Sequence, residues 1–244
     1  MGKLGGKTAA VTGGASGIGF AAAERFIAEG ATVWLFGRRQ DALDAAVAKL
    51  GPQARAVAGS VSEPADLERL MAAVKAERGT LDVLLASAGT GAQVALGAIT
   101  AEDFDRTFDV NVKGLIFTVQ AALPLMGEGG SIVLVGSNAS IMGMPAFSLY
   151  GASKAAVRAL ARGWTLDLKG TGIRVNVLSP GPTRTELAAQ VMGEEGAKQI
   201  VDMVPLGRMA DPSEIAAVAT FLASDDSSFM MGSDVFADGG VAQV

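Results

Sequence analysis

Apolar residues fall in seven short runs along the chain, at 8–12, 33–36, 54–58, 81–86, 132–135, 173–178 and 235–237. Stretches of helical periodicity separate most of them. The run Ile132, Val133, Leu134 and Val135 is apolar without alternation, as expected of a strand buried on both faces of a parallel sheet. Helices are expected at 20–29, closed by Gly30, and at 41–50, closed by Gly51 and Pro52. Ser62 is expected to cap the next, with Glu63 and Pro64 in its first turn. Thr100 and Asp103 have the order of a capping box and open a helical region reaching Met126. Asn111 sits inside that region and is a poor helix former, so it marks a kink or a functional duty. A further helix carries Tyr150 and runs to about 169, where Gly170 ends it. The segment 186–209 reads as less regular. Asp211, Pro212 and Glu214 then start a last helix that ends near Ala223. Strands and helices alternate with no β-rich block, which predicts an α/β fold. The expected form is one doubly wound, seven-stranded parallel sheet in a single domain spanning 1–244, with a substrate-loop segment at about 184–209.

Composition narrows the chemistry. Half of the 244 residues are hydrophobic, enough for a large core and for buried surface between subunits. The net charge is −5 and no basic run appears, which argues against nucleic-acid and anionic-membrane partners. No apolar run has membrane-spanning length, and the first residues lead into a strand pattern without a signal-peptide core. A soluble, cytoplasmic protein is expected. The chain has no cysteine and no histidine. Thiol nucleophiles, thiolate metal sites, His-ligated zinc and Ser-His-Asp hydrolysis are thereby excluded. Catalysis is left to Ser, Tyr, Lys, Asn, carboxylates or a cofactor.

The first strand runs into Gly13, Gly14, Ala15, Ser16, Gly17, Ile18 and Gly19, and then into an Ala-rich helix. In such a βαβ unit the glycines let the backbone approach a pyrophosphate, and the helix N-terminus favours its negative charge. The spacing, Gly-x-x-x-Gly-x-Gly, differs from the commoner Gly-x-Gly-x-x-Gly. After the second strand, where a carboxylate would bind the ribose hydroxyls of NAD, the chain has Gly37, Arg38 and Arg39. A guanidinium suits a phosphate, so NADP is the expected cofactor, with NAD as the alternative. Tyr150 is the only tyrosine, and Lys154 follows four residues later. On a helix the two share a face, where a cation would favour the phenolate and make the tyrosine a general acid/base. Ser137 lies at the C-terminal edge of the fifth run, the edge where open α/β sheets bind ligands.

Taken together, these residues resemble the short-chain dehydrogenase/reductase family over nearly the whole chain. Thr12, Gly13, Gly17, Ile18 and Gly19 resemble its cofactor turn, and Asn111 its helix asparagine. Ser137, Tyr150 and Lys154 match its active-site serine, tyrosine and lysine. Asn176, Pro180, Gly181 and Thr185 resemble the segment beside the nicotinamide, and Asp238, Gly239 and Gly240 its C-terminal signature. Two positions depart from the pattern. Ala86-Ser87-Ala88-Gly89 replaces Asn-Asn-Ala-Gly, so an amide brace is missing. Ser60 and Val61 stand where an aspartate often lies near the adenine.

The resemblance implies hydride transfer between nicotinamide and a carbonyl carbon. Tyr150 would supply the proton, Ser137 an orienting hydrogen bond, and Lys154 a lowered tyrosine pKa and a bond to the nicotinamide ribose. Asn111 would hold a water linking Lys154 to solvent. Gly13, Ser16, Gly17, Ile18, Gly19, Ser60, Val61, Ala88 and Gly89 would contact the cofactor, with Pro180, Gly181, Thr183 and Thr185 at the carboxamide. Ile141, Met142, Met144, Phe147, Leu187, Val191 and Met192 would wall an apolar pocket for a small-molecule ketone, aldehyde or secondary alcohol. A 3-oxoacyl thioester reductase and a non-catalytic cofactor sensor are the alternatives. Ala152, Ala155, Ala156 and Ala159 permit close helix approach, and the family commonly forms dimers and tetramers.

Overall fold

The computed structural model describes residues 2–243, apart from the side chains at 192, 194, 195 and 197. Seven parallel strands form one sheet in the order β3-β2-β1-β4-β5-β6-β7. They are β1 Thr8–Thr12, β2 Thr32–Gly37, β3 Ala54–Ala58, β4 Val83–Ala86, β5 Ser131–Val135, β6 Arg174–Pro180 and β7 Asp234–Ala237. Side chains alternate across the sheet and so feed two cores. Val33 and Leu35 of β2 and Val133 of β5 join Phe26, Leu85 and Ile215 on one face. Trp34, Phe36, Ile132 and Leu134 join Leu84, Leu115 and Val157 on the other. Central β5 is buried at every position, which is why its sequence shows no alternation.

Helices α1 Gly17–Ala28, α2 Gln40–Leu50 and α8 Pro212–Ala223 cover the first face. Helices α3 Pro64–Arg78, α5 Leu115–Ala122 and α6 Ser148–Asp167 cover the second, α4 Ala101–Phe108 packs against α6, and α7 is Glu186–Asp202. The order of strands reverses between β1 and β4, so their C-terminal ends leave a crevice at the switch point. Both reciprocal bonds of a capping box are made at Thr100 with Asp103 and at Asp211 with Glu214.

Three local readings of the sequence are corrected. The cap of α3 is Glu63, and Ser62 instead donates to the Asp109 carbonyl at 3.3 Å. The segment after 186 is helical: Thr185 accepts from the Ala188 N–H at 3.1 Å and starts α7, which breaks only at Gly193 (φ 64°). The helical region around Asn111 does not run on as one α-helix. It widens into a π-helical turn, Asp109–Gly114, between α4 and α5.

Candidate active site

The Gly-rich turn is shaped by contacts that exclude side chains. A Cβ at Gly13 would lie 3.0 Å from the backbone of Ala88, across the β1–β4 crevice. A Cβ at Gly19 would collide with the Gly13 carbonyl. The turn therefore packs tightly enough to leave the first N–H groups of α1 facing the cleft. Ser16 is the N-cap residue, yet its side chain makes no capping bond, so its hydroxyl is free for a ligand. This combination of free donors, a helix N-terminus and a side-chain-free cradle fits a dinucleotide pyrophosphate.

The missing amide brace after β4 has a substitute. The Thr12 hydroxyl oxygen accepts from both the Ser87 and the Ala88 N–H at 3.1 Å. One side-chain oxygen from β1 thus ties down the loop that an asparagine was expected to hold.

From this turn a cleft of about 320 Å³ runs along the C-terminal edges of β1, β4, β5 and β6. Gly13, Ser16, Gly17, Ile18, Gly19, Ala88 and Gly89 line one end. Ser137, Tyr150 and Lys154 lie in its middle, and Pro180, Gly181, Thr183 and Thr185 line it opposite the turn. Thr183 is buried with its hydroxyl bonded to the Gly181 carbonyl at 2.9 Å, while Thr185 caps α7. Four predicted cofactor residues stand outside the lining. Arg38 and Arg39 are exposed just beyond β2, with Arg39 as the N-cap position of α2. Val61 is buried in the second core. Ser60 uses its hydroxyl to accept from the Ser62 N–H at 3.2 Å.

Asn111 is 1% exposed behind Gly89. Its oxygen accepts from the Thr90 N–H at 2.8 Å, and its nitrogen donates to the Thr90 carbonyl and the Ser153 hydroxyl. Ser153 in turn donates to the Tyr150 carbonyl at 2.7 Å. The asparagine thereby clamps the loop after β4 to the Tyr150 turn of α6. Both its N–H donors are used, and one oxygen lone pair remains.

Lys154 is 5% exposed, and its Nζ donates to the Val135 carbonyl at 2.8 Å. That ammonium lies 5.8 Å from the centre of the Tyr150 ring. Burial holds the lysine down at about 8. The same cause pushes the Tyr150 phenol up, and a hydrogen bond from Ser137 opposes that rise. The lysine-lowered phenol expected from the spacing is thus not the state of the free site, where loss of water outweighs the distant charge.

Of the expected apolar wall, Met142, Met144, Phe147, Leu187 and Val191 line the cleft. Ile141 is exposed and is not part of the lining, and the side chain of Met192 lies outside the described residues. Ile200, Met203 and Val241 complete the wall. Arg184 pairs with Asp211 at 3.5 Å in an exposed position. Besides Ile200, Met203 and Val241, further lining or bracing residues were not anticipated. Gly91 faces the Tyr150 ring, where a Cβ would sit 3.3 Å from Cδ2. Asn138, next to Ser137, presents a buried carboxamide to the cleft. Asp66 brings its carboxylate back to the Ser60 N–H at 2.8 Å, and this bond holds it below the usual carboxylate range.

A family profile described as enoyl-(acyl carrier protein) reductase matches residues 13–242. The chain is 59% identical to oxidoreductase asL5 of Sarocladium schorii, over 99% of this chain and 98% of that one. The chain belongs to the short-chain dehydrogenase/reductase family. It is 37% identical to a 3alpha-hydroxysteroid dehydrogenase of Mediterraneibacter gnavus, over 96% of each protein. Among solved structures of the family, a short-chain dehydrogenase/reductase described as glucose/ribitol dehydrogenase, from Brucella melitensis, superposes with a TM-score of 0.94. It shares 32% identity over 99% of both chains. As a short-chain dehydrogenase/reductase, the protein is an NAD(P)-dependent oxidoreductase acting between alcohol and carbonyl groups. Among the described residues no helix is long and apolar enough to cross a membrane.

Proposed function

We propose that this short-chain dehydrogenase/reductase is an NADP(H)-dependent carbonyl reductase or secondary-alcohol dehydrogenase whose substrate has an apolar body. The observation that carries this reading is the meeting of Ser137, Tyr150 and Lys154 in one cleft, walled by Met142, Met144, Phe147 and Leu187 and continuous with the Gly-rich turn. A nicotinamide held in this cleft would supply or accept the hydride. Ser137 directs its hydroxyl at the substrate oxygen, and Tyr150 delivers the proton as negative charge grows there. Lys154, held behind the tyrosine by α6, orients the site and relays charge. Asn111 fixes the loop at Gly89 and Thr90 and offers its remaining lone pair to a proton-carrying water.

Thr183, Thr185, Pro180 and Gly181 form the wall against which a carboxamide would rest. Arg38 and Arg39, exposed beside half-buried Gly37, supply the guanidinium charge that favours the extra phosphate of NADP. The apolar wall favours ketones, aldehydes and secondary alcohols over charged carriers.

The test is NADPH and NADH turnover over a panel of ketones, aldehydes and 3-oxoacyl thioesters, with Tyr150→Phe as the control. Loss of one general acid lowers the rate by about 10²–10⁴-fold. A Tyr150→Phe variant as fast as the wild type would refute the assignment. Turnover confined to the thioesters would move the protein to that substrate class, and binding of cofactor with no turnover anywhere would make it a sensor.

A further inference from the structure

Asn138 is a buried polar side chain in the cleft, beside Ser137, that hydride transfer does not use. Asn138 follows Ser137 in the short 3₁₀ turn Asn138–Ser140, lines the cleft and is 7% exposed. A carboxamide offers two donor hydrogens and two acceptor lone pairs. Here its side chain makes two long contacts. Its oxygen accepts from the Ser137 hydroxyl at 3.4 Å, and its nitrogen reaches the Met142 sulfur at 3.6 Å. The first is at the edge of hydrogen-bonding distance and the second goes to a weak acceptor. Buried amides are normally well satisfied, because an unpaired one costs free energy comparable to a lost hydrogen bond. By contrast, the buried carboxamide of Asn111 has three partners at 2.8 to 3.0 Å.

We propose that Asn138 reads a second oxygen on the substrate, on the carbon next to the one that reacts, so that the preferred substrates are vicinally dioxygenated: α-hydroxy ketones, 1,2-diketones or 1,2-diols. This inference rests on the carbonyl/alcohol chemistry proposed above for Ser137 and Tyr150. Ser137 would hold the reacting oxygen. The Asn138 carboxamide oxygen lies 3.4 Å from the Ser137 hydroxyl oxygen, so the amide stands beside the group that would hold the reacting oxygen. Around them stand Met142, Met144, Phe147 and Ala139, which offer no competing neutral donor of comparable strength. A purely apolar substrate entering this wall would strip water from Asn138 and leave its N–H groups poorly paired. A neighbouring hydroxyl or carbonyl oxygen replaces that water. The selectivity therefore comes as much from rejecting the unsubstituted ketone as from binding the substituted one.

The experiment compares matched pairs, cyclohexanone with 2-hydroxycyclohexanone and butan-2-one with butane-2,3-dione, in the wild type and in Asn138→Leu. Intrinsic reactivity cancels when the ratio of kcat/KM within each pair is compared between the two proteins. Removing a neutral hydrogen bond should shrink that ratio by about tenfold, mainly through the dioxygenated partner. Equal losses on both partners would show that Asn138 only positions Ser137 and would overturn the proposal, as would an unchanged ratio. Asn138→Ala repeats the test if the leucine variant does not fold. Calorimetry with cofactor bound, comparing cyclohexane-1,2-diol with cyclohexanol, reads the same preference without turnover. Equal affinities in the wild type would overturn the proposal there. Preference for the diol in a protein that turns over no ketone would instead leave the Asn138 subsite standing and remove the proposed reaction.

Discussion

Replacing Lys154 by methionine should uncouple stability from function. The lysine is 5% exposed and its pKa falls from the ordinary 10.5 to about 8 through burial. That difference corresponds to about 3 kcal/mol of destabilisation at neutral pH, where both folded and unfolded lysines are charged. Between pH 8 and 10.5 the unfolded chain retains a proton that the folded chain has released, so this component of wild-type stability recovers as pH rises. Methionine fills similar space and does not titrate. It also leaves the Val135 carbonyl without its 2.8 Å partner, a loss of about 1–3 kcal/mol at every pH. At pH 7 the variant should therefore equal or exceed the wild type in stability while turnover collapses. Towards pH 10.5 its relative stability should fall by about 3 kcal/mol. Urea unfolding from pH 7 to 10.5, at fixed protein concentration, reads the difference, and groups common to both proteins cancel. A stability difference that stays constant across this window would refute the desolvation argument.

Since Tyr150 is the only tyrosine, phenolate absorbance reports it alone. In the cofactor-free protein the phenol should ionise above 10, and Ser137→Ala, which removes the opposing hydrogen bond, should move it higher; ionisation below 10 would contradict the burial argument. Arg38→Asp should weaken NADPH far more than NADH in equilibrium binding, and equal changes would mean that Arg38 does not meet the phosphate. Gly91→Val should press on the Tyr150 ring, whose Cδ2 lies 3.3 Å from the added Cβ, and lower kcat by about 10²-fold without weakening cofactor binding. The exposed Ala152 and Ala159 of α6 and the stacked Phe104–Phe108 pair of α4, 4.4 Å apart, form a surface suited to a second copy. Light scattering at micromolar concentration should give a dimer or tetramer, and a monomer would remove this reading.

Much of the architecture was legible because a buried parallel strand announces itself. β5 is an uninterrupted apolar run ending at Gly136, and the capping residues of α4 and α8 occur in the order that their reciprocal bonds require. Less was legible where one pattern serves two geometries. Nothing in the residues 109–114 separates a π turn from an α turn, because the two differ by a single inserted residue in the bonding pattern. The segment 186–209 reads as less regular, yet Thr185 starts a helix there that breaks at Gly193. At the site, Tyr150, Lys154 and Ser137 could be found by spacing and strand edge. Asn138 could not, since the direction of a side chain leaving a single 3₁₀ turn follows no period. A lone carboxamide beside Ser137, in a wall of methionine and phenylalanine, was the available signal. The departure at Ser87 misled in a different way: it suggested a weaker loop, when the hydroxyl of Thr12 already carried both bonds.

The two pKa shifts at the centre of the site have one origin. Withdrawal from water disfavours the charged forms of Lys154 and Tyr150 alike, lowering the pKa of the first and raising that of the second. A 5.8 Å separation from ammonium to ring centre, with Nζ turned to the Val135 carbonyl, gives the cation little hold on the phenol oxygen. An acceptor brought to Nζ, such as a sugar hydroxyl, would favour the ammonium and through it the phenolate. Proton transfer would then be strongest when the cleft is filled. A chain without histidine has no side chain whose ordinary pKa lies near neutrality. It must reach that range by moving a lysine down and then a tyrosine after it, and burial by β5 and α6 accomplishes the first of these steps.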